Sequence, residues 1–86
     1  MIVLLHPRAA KALEKPDKTV KEEIKDKLTK LEGNYKLGKS LSCSGFWSLR
    51  IGDYRAIYEV DRVGNKVIVF FIGHRKQVYG DFRRLT

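Results

Sequence analysis

The sequence predicts an α+β fold, with two N-terminal helices packed on a small antiparallel sheet, and three observations lead there. Val20, Ile24, Leu28 and Leu31 recur at the spacing of one buried helical face. Residues 46–60 alternate in polarity on either side of Gly52-Asp53, the pattern of a β-hairpin closed by a two-residue turn. Residues 67–72 are continuously apolar, as in a strand that is covered on both faces or lies centrally in a sheet. A chain of 86 residues makes this one domain, 1–86, near the size at which a single core is just sufficient.

Taken in order, Ile2 to Leu5 form a short apolar strand that ends at His6-Pro7. Proline suits the first position of a helix, so Pro7 opens a short one through Ala9, Ala10, Ala12 and Leu13, which Pro16 stops. Asp17 or Thr19 caps the next helix, and Thr19 with Glu22 has capping-box spacing. Glu23/Lys27 and Asp26/Lys30 fall at i,i+4 on its outer face, where the lysines read as solvated, and Gly33 ends it. Residues 34–45 are rich in Gly and Ser without a period and read as a connecting loop, pinned by Leu37 and Leu41.

The Gly52-Asp53 turn fixes the register of the hairpin. Ile51 faces Tyr54, Arg50 faces Arg55, Leu49 faces Ala56, Ser48 faces Ile57 and Trp47 faces Tyr58. Trp47, Leu49, Ile51, Tyr54, Ala56 and Tyr58 then share a core face, as packing residues and not as platforms for bases. Arg50 and Arg55 oppose each other on the other face, where like charges across a ladder are unfavourable. An anion shared between two guanidinium forks offsets that repulsion, and phosphate has the matching geometry. Ion pairs to Asp53 or Glu59 are the alternative. Asp61 to Asn65 form a second turn, and the apolar strand after it ends at Gly73-His74-Arg75-Lys76, an abrupt change to polar side chains at a strand end. Gln77 to Leu85 fit a short C-terminal helix or turn, with Val78 and Phe82 against the core.

Eighteen Lys and Arg against ten Asp and Glu give a net charge of +8. Residues 1–33 contribute +2 and residues 34–86 contribute +6, so the excess sits with the hairpin. This is the electrostatic footprint of a nucleic-acid or acidic protein partner. The lone Cys43 forms no internal disulfide and no cysteine-rich zinc site, and with His6 and His74 as the only imidazoles the reading is no metal and no cofactor. The apolar runs are too short to cross a bilayer and the N-terminus lacks a signal-peptide pattern, so a cytoplasmic location with no membrane partner is expected. P-loop, paired-carboxylate and Ser/Cys nucleophile signatures are absent from the sequence.

The tract Gly-Phe-Trp-Ser-Leu-Arg-Ile-Gly-Asp-Tyr-Arg-Ala-Ile-Tyr-Glu-Val (45–60), followed by Ile-Gly-His-Arg-Lys-Gln-Val-Tyr (72–79), closely resembles the RelE family of toxin-antitoxin toxins, within the wider RelE/ParE superfamily. The resemblance covers essentially the whole chain. It implies a RelE-like domain and a metal-independent endoribonuclease that cuts mRNA in the ribosomal A site and so inhibits translation. It also implies a RelB-type antitoxin as protein partner, beside the ribosome and mRNA. The family's basic positions fall on Arg50, Arg55 and Arg75, its terminal tyrosine on Tyr79, and a basic or imidazole group on His74. His74 and Tyr79 are then the acid and base, in an order left open, with a strand-end cap and a core aromatic as their alternatives. Arg62, Lys76, Arg83 and Arg84 are candidate RNA contacts. The chain departs from the family pattern at Ser48, where a lysine often stands, and in a shorter segment between Arg75 and Tyr79. Two other functions share the fold: a ParE-type toxin that binds DNA gyrase without catalysis, and an inactive interaction domain.

Overall fold

The computed structural model describes residues 1–41 and 45–74. Cys43 and the expected C-terminal helix or turn lie outside the described residues. In chain order the elements are β1 (Ile2–Leu5), α1 (Pro7–Ala12), α2 (Lys18–Leu31), a 3₁₀ turn (Tyr35–Leu37), β2 (Lys39–Ser40), β3 (Phe46–Ile51), β4 (Tyr54–Asp61) and β5 (Lys66–His74). They build one five-stranded sheet in the order β1-β5-β4-β3-β2 with the helices packed on it. Among the described residues no helix is long and apolar enough to cross a membrane.

Each helix begins where a side chain satisfies the free N–H groups of its first turn. His6 caps α1, its Nδ1 accepting from the Arg8 N–H at 3.1 Å, with Pro7 at the position where a missing N–H does no harm. Asp17, not Thr19, caps α2 and accepts from the Val20 N–H at 2.9 Å. The Thr19/Glu22 capping box is therefore superseded by a cap two residues earlier. Ile24, Leu28 and Leu31 are buried and Val20 half-buried against the sheet, and the Asp26–Lys30 pair forms at 3.3 Å.

Strands β2 to β5 are antiparallel, and β1 joins β5 in parallel. The parallel edge has a simple cause. Between β1 and β5 the chain passes through both helices and the hairpin, so β1 returns beside β5 without a tight turn. The hairpin register follows the two-residue turn residue for residue, with Gly52 supplying the positive φ of +60°. Residues 34–41 are more ordered than a connecting loop: they hold the 3₁₀ turn and β2, which pairs Lys39 with Ser48 and Ser40 with Trp47.

Ala9, Leu13, Ile24, Leu28, Leu31, Leu49, Ile51, Ala56, Tyr58, Val67, Val69 and Ile72 form the main core, with Trp47 and Tyr54 packed against it. Strand β5 lies between β1 and β4, in agreement with its unbroken apolar run. Its residues divide between two faces because of a bulge. Tyr58 pairs with Val69 and Ile57 with Phe71, so Phe70 is the extra residue, and the in-out alternation inverts after it. Val69 and Ile72 consequently reach the main core, while Phe70 and Phe71 join Ile57, Phe46 and Leu41 in a second cluster on the opposite face.

Candidate functional site

The opposite face of the sheet carries the site. Cross-strand register places Phe71, Ile57, Ser48 and Lys39 in one row and Gly73, Arg55 and Arg50 in the next. Arg50 is exposed and Arg55 half-buried, and the Arg50 Nε donates to the Gly52 carbonyl at 3.4 Å. These arginines border a cleft of about 420 Å³ at the end of β3, lined by Lys27, Lys39, Arg50, Arg55, Ser48 and the chain from Leu37 to Leu41. Among the described residues, four cations line it. Cations clustered at close range repel one another, and a polyanion relieves that repulsion.

Strand β2 makes this cleft, and one hydroxyl holds β2 in place. Tyr58 is fully buried, yet its Oη donates to the Tyr35 carbonyl at 2.7 Å and accepts from the Gly38 N–H at 3.0 Å. It thereby ties the 3₁₀ turn and the start of β2 to the middle of β4. Burial raises the Tyr58 phenol above its ordinary value near 10, and the Gly38 hydrogen bond partly opposes that rise. Gly38 has to be glycine for steric reasons. A Cβ there would stand 2.5 Å from the Ser48 carbonyl oxygen and 2.8 Å from the Tyr58 hydroxyl.

Of the expected catalytic residues, Arg50, Arg55 and His74 are among the described residues, and the structure brings Arg50 and Arg55 together. His74, paired with Tyr54 one row beyond the arginines, extends from the helix-bearing face, its ring 6.2 Å from the Tyr54 ring at 70°. Arg62 is separated from the cleft by the length of β4, and its guanidinium covers the Tyr35 ring at 5.3 Å. Arg75, Lys76, Tyr79, Arg83 and Arg84 lie outside the described residues.

Two cleft lysines escaped the sequence reading. Lys27 was placed on the solvated face of α2 but lines the cleft, and Lys39 was placed in a loop but belongs to β2. Lys39 had a faint signal in Gly38-Lys39-Ser40, a strand start just before the hairpin; Lys27 had none, because its position depends on where α2 docks. Leu37, expected to pin the loop, is exposed at the cleft rim, while Leu41 does pack, into the second cluster. Among the described residues no group of three or more His, Cys, Asp or Glu side chains is placed to hold a metal ion.

A family model described as the ParE toxin of the type II toxin-antitoxin system, parDE, matches residues 3–79. No curated protein sequence matches the chain. Among solved structures, a double arginine-to-alanine mutant of the E. coli toxin RelE in the free state superposes with a TM-score of 0.78 at 25% identity, covering 99% of this chain and 97% of that one. The intact E. coli RelBE toxin-antitoxin complex gives a TM-score of 0.73 at 26% identity, covering 85% and 94%. The chromosomal ParDE system of P. aeruginosa gives 0.72 at 17% identity, covering 86% and 95%, a likeness of fold alone.

Proposed function

This chain belongs to the ParE toxin family of type II toxin-antitoxin systems, with the fold of RelE toxins, and from that premise we propose that it is a ribosome-dependent endoribonuclease that cleaves mRNA in the A site without a metal ion. The observation that carries the reading is the cleft itself: Arg50 and Arg55 face each other across the ladder, with Lys27 and Lys39 beside them. A protein-binding toxin has no need to hold cations in opposition. An enzyme that stabilises a pentacoordinate phosphorane has that need, since the transition state carries more negative charge than the ground state.

Cleavage proceeds by attack of the 2′-hydroxyl on the adjacent phosphorus, which requires a base for the hydroxyl proton and an acid for the leaving 5′-oxygen. Arg50 and Arg55 hold the non-bridging oxygens. We assign one of these two roles to Tyr79 and a further phosphate contact to Arg75, and none to His74, which extends from the opposite face of the sheet. Lys39 faces Ser48 across the β2–β3 ladder, and so brings an ammonium to the row where RelE toxins often carry a lysine on the hairpin itself. DNA is not a substrate because it lacks the attacking hydroxyl.

Purified toxin, ribosomes and a defined mRNA test the proposal by primer extension. The expected result is cleavage within the A-site codon, lost in Arg55→Ala, and its absence at toxin concentrations equal to ribosomes would overturn the reading. The family model favours one second reading, a toxin that binds gyrase. Pulse labelling after induction separates the two, since the nuclease stops protein synthesis first and a gyrase inhibitor stops DNA synthesis first. The proposed partner is an acidic RelB-type antitoxin, by analogy with the E. coli toxin-antitoxin complex, whose association with so basic a surface should be fast and salt-sensitive.

A further inference from the structure

The face that carries Arg50 and Arg55 holds a second concavity, on the strand next to that of Arg55. It encloses about 220 Å³ and is lined by His6, Arg8, Phe70 and Phe71. The bulge in β5 creates it by turning Phe70 and Phe71 to the same face in succession. Phe71 forms the buried floor and Phe70 a half-buried wall, itself braced edge-on by Phe46 at 5.8 Å. The His6 ring lies 5.6 Å from that of Phe70, tilted by 34°, and the Arg8 guanidinium stands 5.3 Å over Phe71.

Two details mark this pocket as more than packing. Arg8 sits in the first turn of α1, where a cation is unfavourable to the helix and where no acidic residue accompanies it. Its position therefore serves the ring below and not the helix. His6, whose Nδ1 accepts from the Arg8 N–H, leaves its Nε2–H as a donor at the exposed rim. An aromatic wall, a covering guanidinium and one donor are the elements that hold a planar heterocycle. The volume is smaller than the roughly 300–1,000 Å³ of sites for drug-sized molecules, which limits the occupant to one ring system.

The geometry points to a subsite for a single unpaired RNA base, stacked on Phe70 beneath Arg8 and hydrogen-bonded by His6, with the backbone of the same strand running to Arg50 and Arg55. This rests on the ribonuclease reading. The path is short: Ile57 faces Phe71, and Arg55 lies two residues further along β4, about 7 Å away. It is also open, because the β5 residue opposite Arg55 is Gly73, which has no side chain to obstruct a chain crossing from pocket to cleft. Base-stacking of this kind tolerates every base, so the subsite adds affinity and register without a sequence code.

The test uses the full chain and two RNA hexamers, one with 2-aminopurine at the nucleotide next to the central phosphate and one abasic there. Wild-type protein should quench the fluorophore and bind the base-bearing RNA roughly tenfold more tightly than the abasic one, the usual scale of one stacked base. In Phe70→Leu, which keeps apolar contact with Phe46, and in Arg8→Gln, which alters only a surface side chain, the quench should vanish and the two RNAs should bind equally. Arg55→Ala should weaken both RNAs by the same factor and leave the quench at saturation intact. Persistence of the quench in Arg8→Gln, equal binding of the two RNAs by wild type, or binding of neither would overturn the subsite. A glutamate-rich peptide that loses affinity on Phe70→Leu while RNA does not would overturn it too, assigning the pocket to a protein partner. A protein that stacks the base but never cuts ribosome-bound mRNA would retain the subsite and remove the nuclease reading alone.

Discussion

Replacing Tyr58 by Phe removes one oxygen atom and should loosen the cleft without touching it. The hydroxyl donates to the Tyr35 carbonyl at 2.7 Å and accepts from the Gly38 N–H at 3.0 Å, and the variant leaves both backbone groups without that partner. Two such losses at about 1 kcal/mol each, moderated because the site is only partly closed to water, come to about 2 kcal/mol. For a domain of this size that lowers Tm by roughly 8–16 °C, measured by a thermal melt at neutral pH. The ring remains, so its stacked contact with Trp47 at 6.2 Å should persist and limit the loss to the hydroxyl. The pH dependence supplies an independent check. The folded protein holds the Tyr58 phenol above 10.0, so its contribution is complete below pH 10.0 and is lost as pH rises through the elevated folded value. The stability gap between wild type and Tyr58→Phe should accordingly be constant up to about pH 10 and narrow as the pH rises further, with the other tyrosines and the lysines cancelling in the difference. A Tm change under about 2 °C, or a gap that widens in alkali, would refute the claim that this hydroxyl holds β2.

Arg55→Ala should lower ribosome-dependent cleavage by a factor on the order of 10², the usual loss of one transition-state donor, while stability in urea stays within about 1 kcal/mol because relief of the Arg50 repulsion offsets lost stem packing. Leu49→Ala should do the reverse, costing about 2–5 kcal/mol in the same titration and leaving the activity of the folded fraction intact. Lys39→Ala should slow cleavage roughly tenfold, and adding Ser48→Lys should restore most of it, since the two positions face each other and either can carry the ammonium; a double variant as slow as the single one would remove Lys39 from the site. Gly38→Ala should cost about 1–3 kcal/mol by overpacking against the Ser48 carbonyl and the Tyr58 hydroxyl, and slow cleavage by displacing Lys39, both readable from one preparation by melt and primer extension.

The hairpin was legible in the sequence to the residue because a two-residue turn leaves only one register, and the register alone places Arg50 opposite Arg55. The buried face of α2 was legible for the same kind of reason, a periodicity that one geometry satisfies. What failed were features decided by tertiary contact. Strand β2 has two residues, too few for a pattern, and exists because Tyr58 holds the chain before it against β4. Lys27 lines the cleft because of the angle at which α2 docks, which no local signal records. The β5 bulge was hidden inside an unbroken apolar run, where a shift of alternation leaves no polar residue out of place.

That bulge decides how the two faces share their work. Without it, strict alternation from Val67 would send Val69 and Phe71 to the helices and Phe70 and Ile72 to the opposite face, and a phenylalanine would have to fit where Ile72 now meets Ala56. With it, the main core takes the small β-branched side chains and the opposite face takes two adjacent aromatic rings. Those rings bury Ile57 from a side that has no helix, so the strands near the cleft need no covering layer of their own. The arginine row can then stay open, and its one β5 member is a glycine. Repulsion between Arg50 and Arg55 is tolerable there because each guanidinium lies close to the Gly52-Asp53 turn of a sheet whose stability is settled elsewhere, by the helix-covered face and the aromatic cluster. A toxin built this way separates the residues that keep it folded from those that would grip an anion, which is why substitutions in the arginine row should change activity with so little change in the melt.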